Sequence, residues 1–225
     1  SSGFTQYAKG WVEQPANFIE DEDFFAAQTQ YERAVRFYLR AYTYGLRGLE
    51  ARHPGFTAEF RNDPAAAVAM LEVADAELAY WTAAGLGSAI SLSRTNPELL
   101  AQLPAVEALA ERALAMQPEW NLGAIHELLI TLKAAGTGDP DGIRRDVRMH
   151  YEAAMRISGG ASASAHVNFA EATSIQDQDR GQFEALLNRA LAIEADQYPD
   201  NRLAILISQQ RAKWLLDRVD DLFLE

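Results

Sequence analysis

Apolar residues recur at steps of three and four along nearly the whole chain, and no run alternates apolar with polar at period two. That spacing stacks side chains on one face of a helix, whereas a half-buried strand needs the alternation that is missing. The pattern therefore predicts an all-α fold. The same apolar spacing closes three successive segments: Val106, Ala110, Ala113 and Leu114, then Val147, Tyr151, Ala154 and Met155, then Phe183, Leu187, Ala190 and Leu191. Ala113 and Ala154 are 41 residues apart, and Ala154 and Ala190 are 36 apart, close to the ~34 of a tetratricopeptide helix pair. The expected architecture is a tetratricopeptide-like right-handed helical solenoid of antiparallel helix pairs, forming one domain over residues 1–225.

Breaking residues divide the pattern into elements. A helix is expected over 4–12, then a loop around Pro15, then a long helix from position 23 or 28 to Arg52 that His53-Pro54-Gly55 stops. Asp63-Pro64 starts a short helix, with proline at the first helical position. Three hairpins follow: 75–94 with 104–116, 121–135 with 141–157, and 163–175 with 179–194. Gly159-Gly160 is placed to supply the left-handed residue that ends a helix. A last helix over about 200–223 carries Lys213, Asp217, Arg218, Asp220 and Asp221 on one side, as the capping end of a solenoid requires.

Composition narrows the partners more than the fold. Thirty-two acidic residues against 20 basic ones leave a net charge of −12, so nucleic acid, which needs clustered cations, is not an expected partner. The chain has no cysteine, which excludes thiolate catalysis, disulfides and cysteine-ligated metals. Its most apolar stretch, residues 78–93, ends at Arg94, short of the ~20 residues that span a bilayer.

Chemistry is sparse. His126-Glu127 resembles the start of a zincin motif, but Ile130 stands where the second histidine belongs. His53, His150 and His166 fall on separate elements, and no nucleophile elbow surrounds the serines between 158 and 164. No catalytic residue, metal site or cofactor is expected. Registering the pairs on Ala113 and Ala154 puts Thr82, Leu86, Ala89 and Ile90 on the inner face of one pair, and Leu122, Ile125, Leu129 and Leu132 on that of the next. Such a face lacks the cations with which peptide-binding grooves hold carboxylates. It is either ordinary core or the lining of an apolar channel, pocket or oligomer seam. Tyr80, Trp81, His126, Glu127 and His166 are candidates for the rim of a pocket, since rings with polar tips suit one.

Several long strings carry a family likeness: RFYLRAYTYGLRGLEARHPGF (36–56), AYWTAAGLGSAISLS (79–93), LPAVEALAERALAMQP (103–118), GAIHELLI (123–130), HYEAAMRISGG (150–160) and NRLAILISQQRAKWLLDRVDDLFL (201–224). In this order the chain resembles the TRAP transporter T-component family over nearly its whole length. The resemblance implies a tetratricopeptide-like periplasmic lipoprotein that works beside the solute-binding protein of a tripartite ATP-independent periplasmic transporter. It also implies a signal segment, a lipidated cysteine and further helices ahead of the part that resembles SSGFTQYAKGWVEQPAN. The expected role is non-enzymatic: docking the solute-binding protein, with a hydrophobic or organic-acid solute held in the apolar concavity. A tetratricopeptide scaffold without any small-molecule ligand is the alternative, a homo-oligomer a further expectation, and a hydrolase built on His126 and Glu127 the weakest.

Overall fold

The computed structural model describes residues 1–224, and among them every regular element is helical. The chain divides into two compact units, Ser1–Pro118 and Glu119–Glu225.

In the first unit α1 (Ser2–Ala8) does not give way to a loop at Pro15. It continues through a π-helical turn, Lys9–Glu13, into α2 (Gln14–Ile19). A proline inside an α-helix loses a hydrogen bond and crowds the carbonyl four residues back. Here the Gln14 N–H donates to the carbonyl of Lys9, five residues back, so the wider turn lets Pro15 start a new α-helical register. The long helix α3 (Phe24–Arg52) is capped by Asp23, whose carboxylate accepts from the Ala26 N–H at 2.9 Å. Beyond the expected stop comes α4 (Phe56–Asn62), which the sequence pattern did not reveal: its two apolar anchors, Phe56 and Phe60, stack at 5.5 Å and are buried. Then follow α5 (Pro64–Ala69), capped by Asp63, α6 (Ala76–Ser91), the short α7 (Pro97–Leu100) and α8 (Leu103–Met116).

The apolar, glycine-bearing face of α6 packs on α3. Gly45 and Gly48 of α3 face Thr82 and Leu78, and Gly85 of α6 faces Ala41 and the backbone of Tyr38 and Tyr42. Numbers rise along one helix as they fall along the other, so the two run antiparallel. The approach is close because no side chain intervenes at these points. A β-carbon on Gly85 would lie 3.1 Å from the Tyr42 nitrogen.

The second unit holds α9 (Ala124–Ala134), α10 (Pro140–Ile157), α11 (Ala163–Phe169), a π-helical turn Ala170–Ser174, α12 (Arg180–Leu191), α13 (Arg202–Asp217) and α14 (Val219–Leu222). Gly123 abuts Ala154 and His126 meets His150, so α9 and α10 form an antiparallel pair. Gly159 and Gly160 take φ of 61° and 87°, and the Gly160 N–H donates to the carbonyl of Met155 at 2.8 Å, closing α10 as expected. The repeated apolar positions Val147, Ala154, Phe183, Leu187 and Ala190 form the core here with Ile130, Phe169, Ile205 and Leu215. Their counterparts Val106, Ala110 and Ala113 are buried in the first unit. The expected last helix breaks at Arg218, whose guanidinium lies over Trp214 at 4.7 Å.

Candidate functional site

The helix carrying His126 and Glu127 is delivered by an unusual turn. Asn121, Leu122 and Gly123 have φ of 47°, 55° and 91°, three consecutive left-handed residues. Glycine accepts this region freely and asparagine tolerates it, but a leucine there costs roughly 1–2 kcal/mol. Strain of this kind persists only where surrounding structure imposes it.

From the first turn of α9 the two adjacent side chains diverge. His126 points to α10, where its Nδ1 lies 2.9 Å from Nδ1 of His150, and both rings are buried. One nitrogen donates and the other accepts, so the pair cannot hold a proton on both facing atoms. Burial, and then the charge of Arg156, hold His126 below the ordinary imidazole range. Glu127 points to the start of α11. The Ser162 hydroxyl donates to its Oε1 while accepting from the Ala165 N–H at 3.0 Å, so one side chain both caps α11 and engages the carboxylate. Ser164 also hydrogen-bonds Glu127, and the Asn168 amide donates to the Glu127 backbone carbonyl at 3.2 Å. Burial raises the Glu127 carboxyl above its usual range, with the serines opposing.

A third polar contact joins α10 to α11. The Tyr151 hydroxyl lies 3.0 Å from Nδ1 of His166, and its ring stacks on Phe169 at 4.2 Å. Arg189, a donor only, hydrogen-bonds the phenol, so the phenol hydrogen is free to go to His166 and leave the proton of that ring on Nε2. Burial pushes His166 down to about 4, with Arg189 adding to the effect.

Beside Glu127 lies a cleft lined by Asn121, Leu122, Ser158, Ser162, Ser164 and Asn201, among others, with a volume of about 50 Å³. Ligand pockets run to ~300–1,000 Å³. A cleft of that size has room for water but not for an organic solute. Its serines face the Glu127 carboxyl, and the histidines face each other or a tyrosine, so no serine is paired with a histidine here. Among the described residues no group of three or more His, Asp or Glu side chains converges as a metal site.

The predicted inner-face residues take up these positions. Thr82, Leu86, Ala89 and Ile90 are buried in the first unit, and Ile125, Leu129 and Leu132 in the second, while Leu122 is 41% exposed. Of the rim candidates, Glu127 lines the cleft with Leu122, whereas His126 turns to His150 on α10 and His166 to Tyr151. Tyr80 and Trp81 belong to the first unit, where they make an edge-on contact at 4.9 Å. Sequence reasoning missed the pairing of His126 with His150, although both stand twelve residues from Gly138 in the connecting turn, as partners across a helical hairpin do. It also missed Tyr151, Ser162 and Asn168 as partners of the histidine and the acid, which no spacing reveals.

The family model of the TRAP transporter T-component matches residues 1–223. The chain belongs to the TRAP transporter T-component family. An uncharacterised protein of Treponema pallidum (strain Nichols) is 31% identical over 226 residues, spanning 99% of this chain and 70% of its own length. Membership in this family assigns an accessory role in a TRAP transporter. Among the described residues no helix is long and apolar enough to cross a membrane.

Proposed function

We propose that this T-component docks the periplasmic solute-binding protein of its transporter, from a tetratricopeptide-like scaffold held at the membrane by a lipid. Family membership over residues 1–223 carries this reading. The role is non-enzymatic, that of an accessory component of a transporter. The transporter supplies the energy, and this chain supplies a surface.

Burial of the inner face bears on whether a solute is also accommodated. Seven of its eight residues are enclosed, and the cleft at Glu127 has room for about 50 Å³. That favours docking without a small-molecule ligand over an apolar concavity for a hydrophobic or organic-acid solute. The test is direct. The purified protein is mixed with the cognate solute-binding protein, with and without solute, and association is read by calorimetry; uptake is measured in cells lacking the chain. Saturable binding with lost uptake is expected, and binding of the free solute to this chain alone would restore the concavity reading.

A further inference from the structure

Arg33, Arg40 and Arg47 recur every seven residues along α3. Seven residues are nearly two helical turns, so the three guanidiniums form one stripe. Each lies over an aromatic ring: Arg33 is 5.6 Å from the centre of Phe37, Arg40 5.0 Å from Phe4, and Arg47 5.3 Å from Tyr44. The rings are themselves continuous. Phe4 stacks on Phe37 and Tyr44, while Tyr7 meets Phe37 edge-on and stacks on Trp11. All three arginines are exposed, with Tyr7 at 42%, Trp11 at 53% and Tyr44 at 39%.

Among the described residues no carboxylate pairs with any of the three arginines. The acids nearby are engaged elsewhere: Glu32 reaches Arg36, Glu50 accepts from the N–H groups of Gly55 and Thr57, Glu20 takes the Tyr31 hydroxyl, and Glu13 is buried against Tyr38 and Lys9. α1 bears no acid. In a chain with 32 acidic residues against 20 basic ones, this cationic stripe is held by aromatic rings and left, among the described residues, without a carboxylate partner.

Its chemistry indicates the occupant. A guanidinium held over a ring is a planar fork fixed in orientation, suited to bidentate pairing with a carboxylate. Arginine with tyrosine, tryptophan and phenylalanine is also the composition that dominates protein interfaces. The net charge of −12 disfavours an anionic bilayer, and the local cationic stripe complements a carboxylate-bearing protein patch. We propose that this aromatic–arginine stripe on α1 and α3 is the face on which the solute-binding protein docks, through a carboxylate-rich patch of its own. This rests on the docking role above and adds its surface and the chemistry of the partner.

The experiment uses the full natural chain and its cognate solute-binding protein, with affinity measured at low and at raised salt. Wild type binds more weakly as salt rises. The triple variant Arg33→Glu, Arg40→Glu, Arg47→Glu is expected to lose about a hundredfold in affinity, together with the salt dependence, while the melting temperature stays within a few degrees. Replacing the same three by lysine keeps the charge but not the fork, and is expected to lose about tenfold. If the charge-reversed protein is unstable, the lysine variant and a cross-linking arm decide. For the latter, p-benzoylphenylalanine replaces Thr43, exposed beside the stripe, and an adduct to the solute-binding protein is expected. Wild-type affinity in either triple variant overturns the surface and leaves docking intact. No binding by wild type overturns docking, and the surface with it. An adduct to a second copy or to another segment of the same chain, or a loss confined to binding phosphatidylglycerol vesicles, also overturns the surface.

Discussion

The Tyr151 hydroxyl lies 3.0 Å from Nδ1 of His166, and that imidazole is buried beside Arg189. A neutral imidazole suits that site and a cation does not. The folded chain therefore keeps His166 unprotonated down to about 4, against 6.5 when unfolded.

Acid should destabilise the protein in a defined window. The contribution of His166 is fully present above about pH 6.5 and is lost as pH falls from there toward 4, at ~1.4 kcal/mol per pH unit. His126, shifted in the same direction, adds to the slope. Urea unfolding at intervals between pH 7.5 and 4 reads it. His166→Gln, whose amide oxygen can still accept from Tyr151, should flatten the acid limb, and an unchanged slope would show that the ring is protonated in the folded chain.

Glu127 should act with the opposite sign. Its carboxyl is raised by burial, so the stability it contributes is present below its ordinary value and is lost as pH rises through the raised one. Glu127→Gln cannot ionise and can still accept from Ser162. The variant should be more stable than wild type at pH 8 and indistinguishable at pH 4, compared by thermal melting. Equal stability at both would mean that water reaches the carboxylate.

The contrast between these groups and the helices around them shows what the sequence makes legible. Helix positions followed from local apolar spacing, and Asp23, Asp63 and Gly159-Gly160 marked their ends by the geometry of a cap. Pro15 misled because a π-helical turn, a change in register that no residue type announces, absorbed its missing hydrogen bond. Phe56 and Phe60 are too few for a periodic signal, and tertiary packing decided their helix. The polar contacts of His126, Glu127 and His166 depend on how three helices meet, a long-range property. Burial of Leu86 and Leu129 was readable as apolar character, but not whether they face solvent or another helix.

Helix packing gives a test with an internal control. A β-carbon at Gly45 would fall 2.2 Å from Oγ1 of Thr82 and 2.9 Å from its Cβ, a branched side chain pinned by a hydrogen bond to the Leu78 carbonyl. At Gly48 the nearest atom is the end of the Leu78 side chain, at 2.9 Å, which can rotate away. Gly45→Ala should therefore cost roughly 1–3 kcal/mol by overpacking. Gly48→Ala should be close to neutral, since gained helix propensity of ~1 kcal/mol offsets the adjustment. Equal losses in denaturant melts would mean that α3 and α6 stand further apart.

The last prediction separates core from functional surface along one short segment. Leu129 has no exposed surface, so Leu129→Glu buries a carboxylate with no cation arranged for it, at a cost of several kcal/mol even after relaxation. That variant should melt far below wild type, and its loss of uptake would then reflect lost fold. Leu122 differs on both counts: it is 41% exposed and sits at φ 55°. Leu122→Gly removes a left-handed leucine, and should raise stability by about 1 kcal/mol. A protein that keeps a strained, exposed leucine next to a cleft gains nothing from it in stability. The same variant is therefore expected to lower uptake in cells while melting higher in the tube. Unchanged uptake would show that the strain serves only to aim α9, whereas a lower melting temperature would show that the leucine contributes packing greater than its backbone cost.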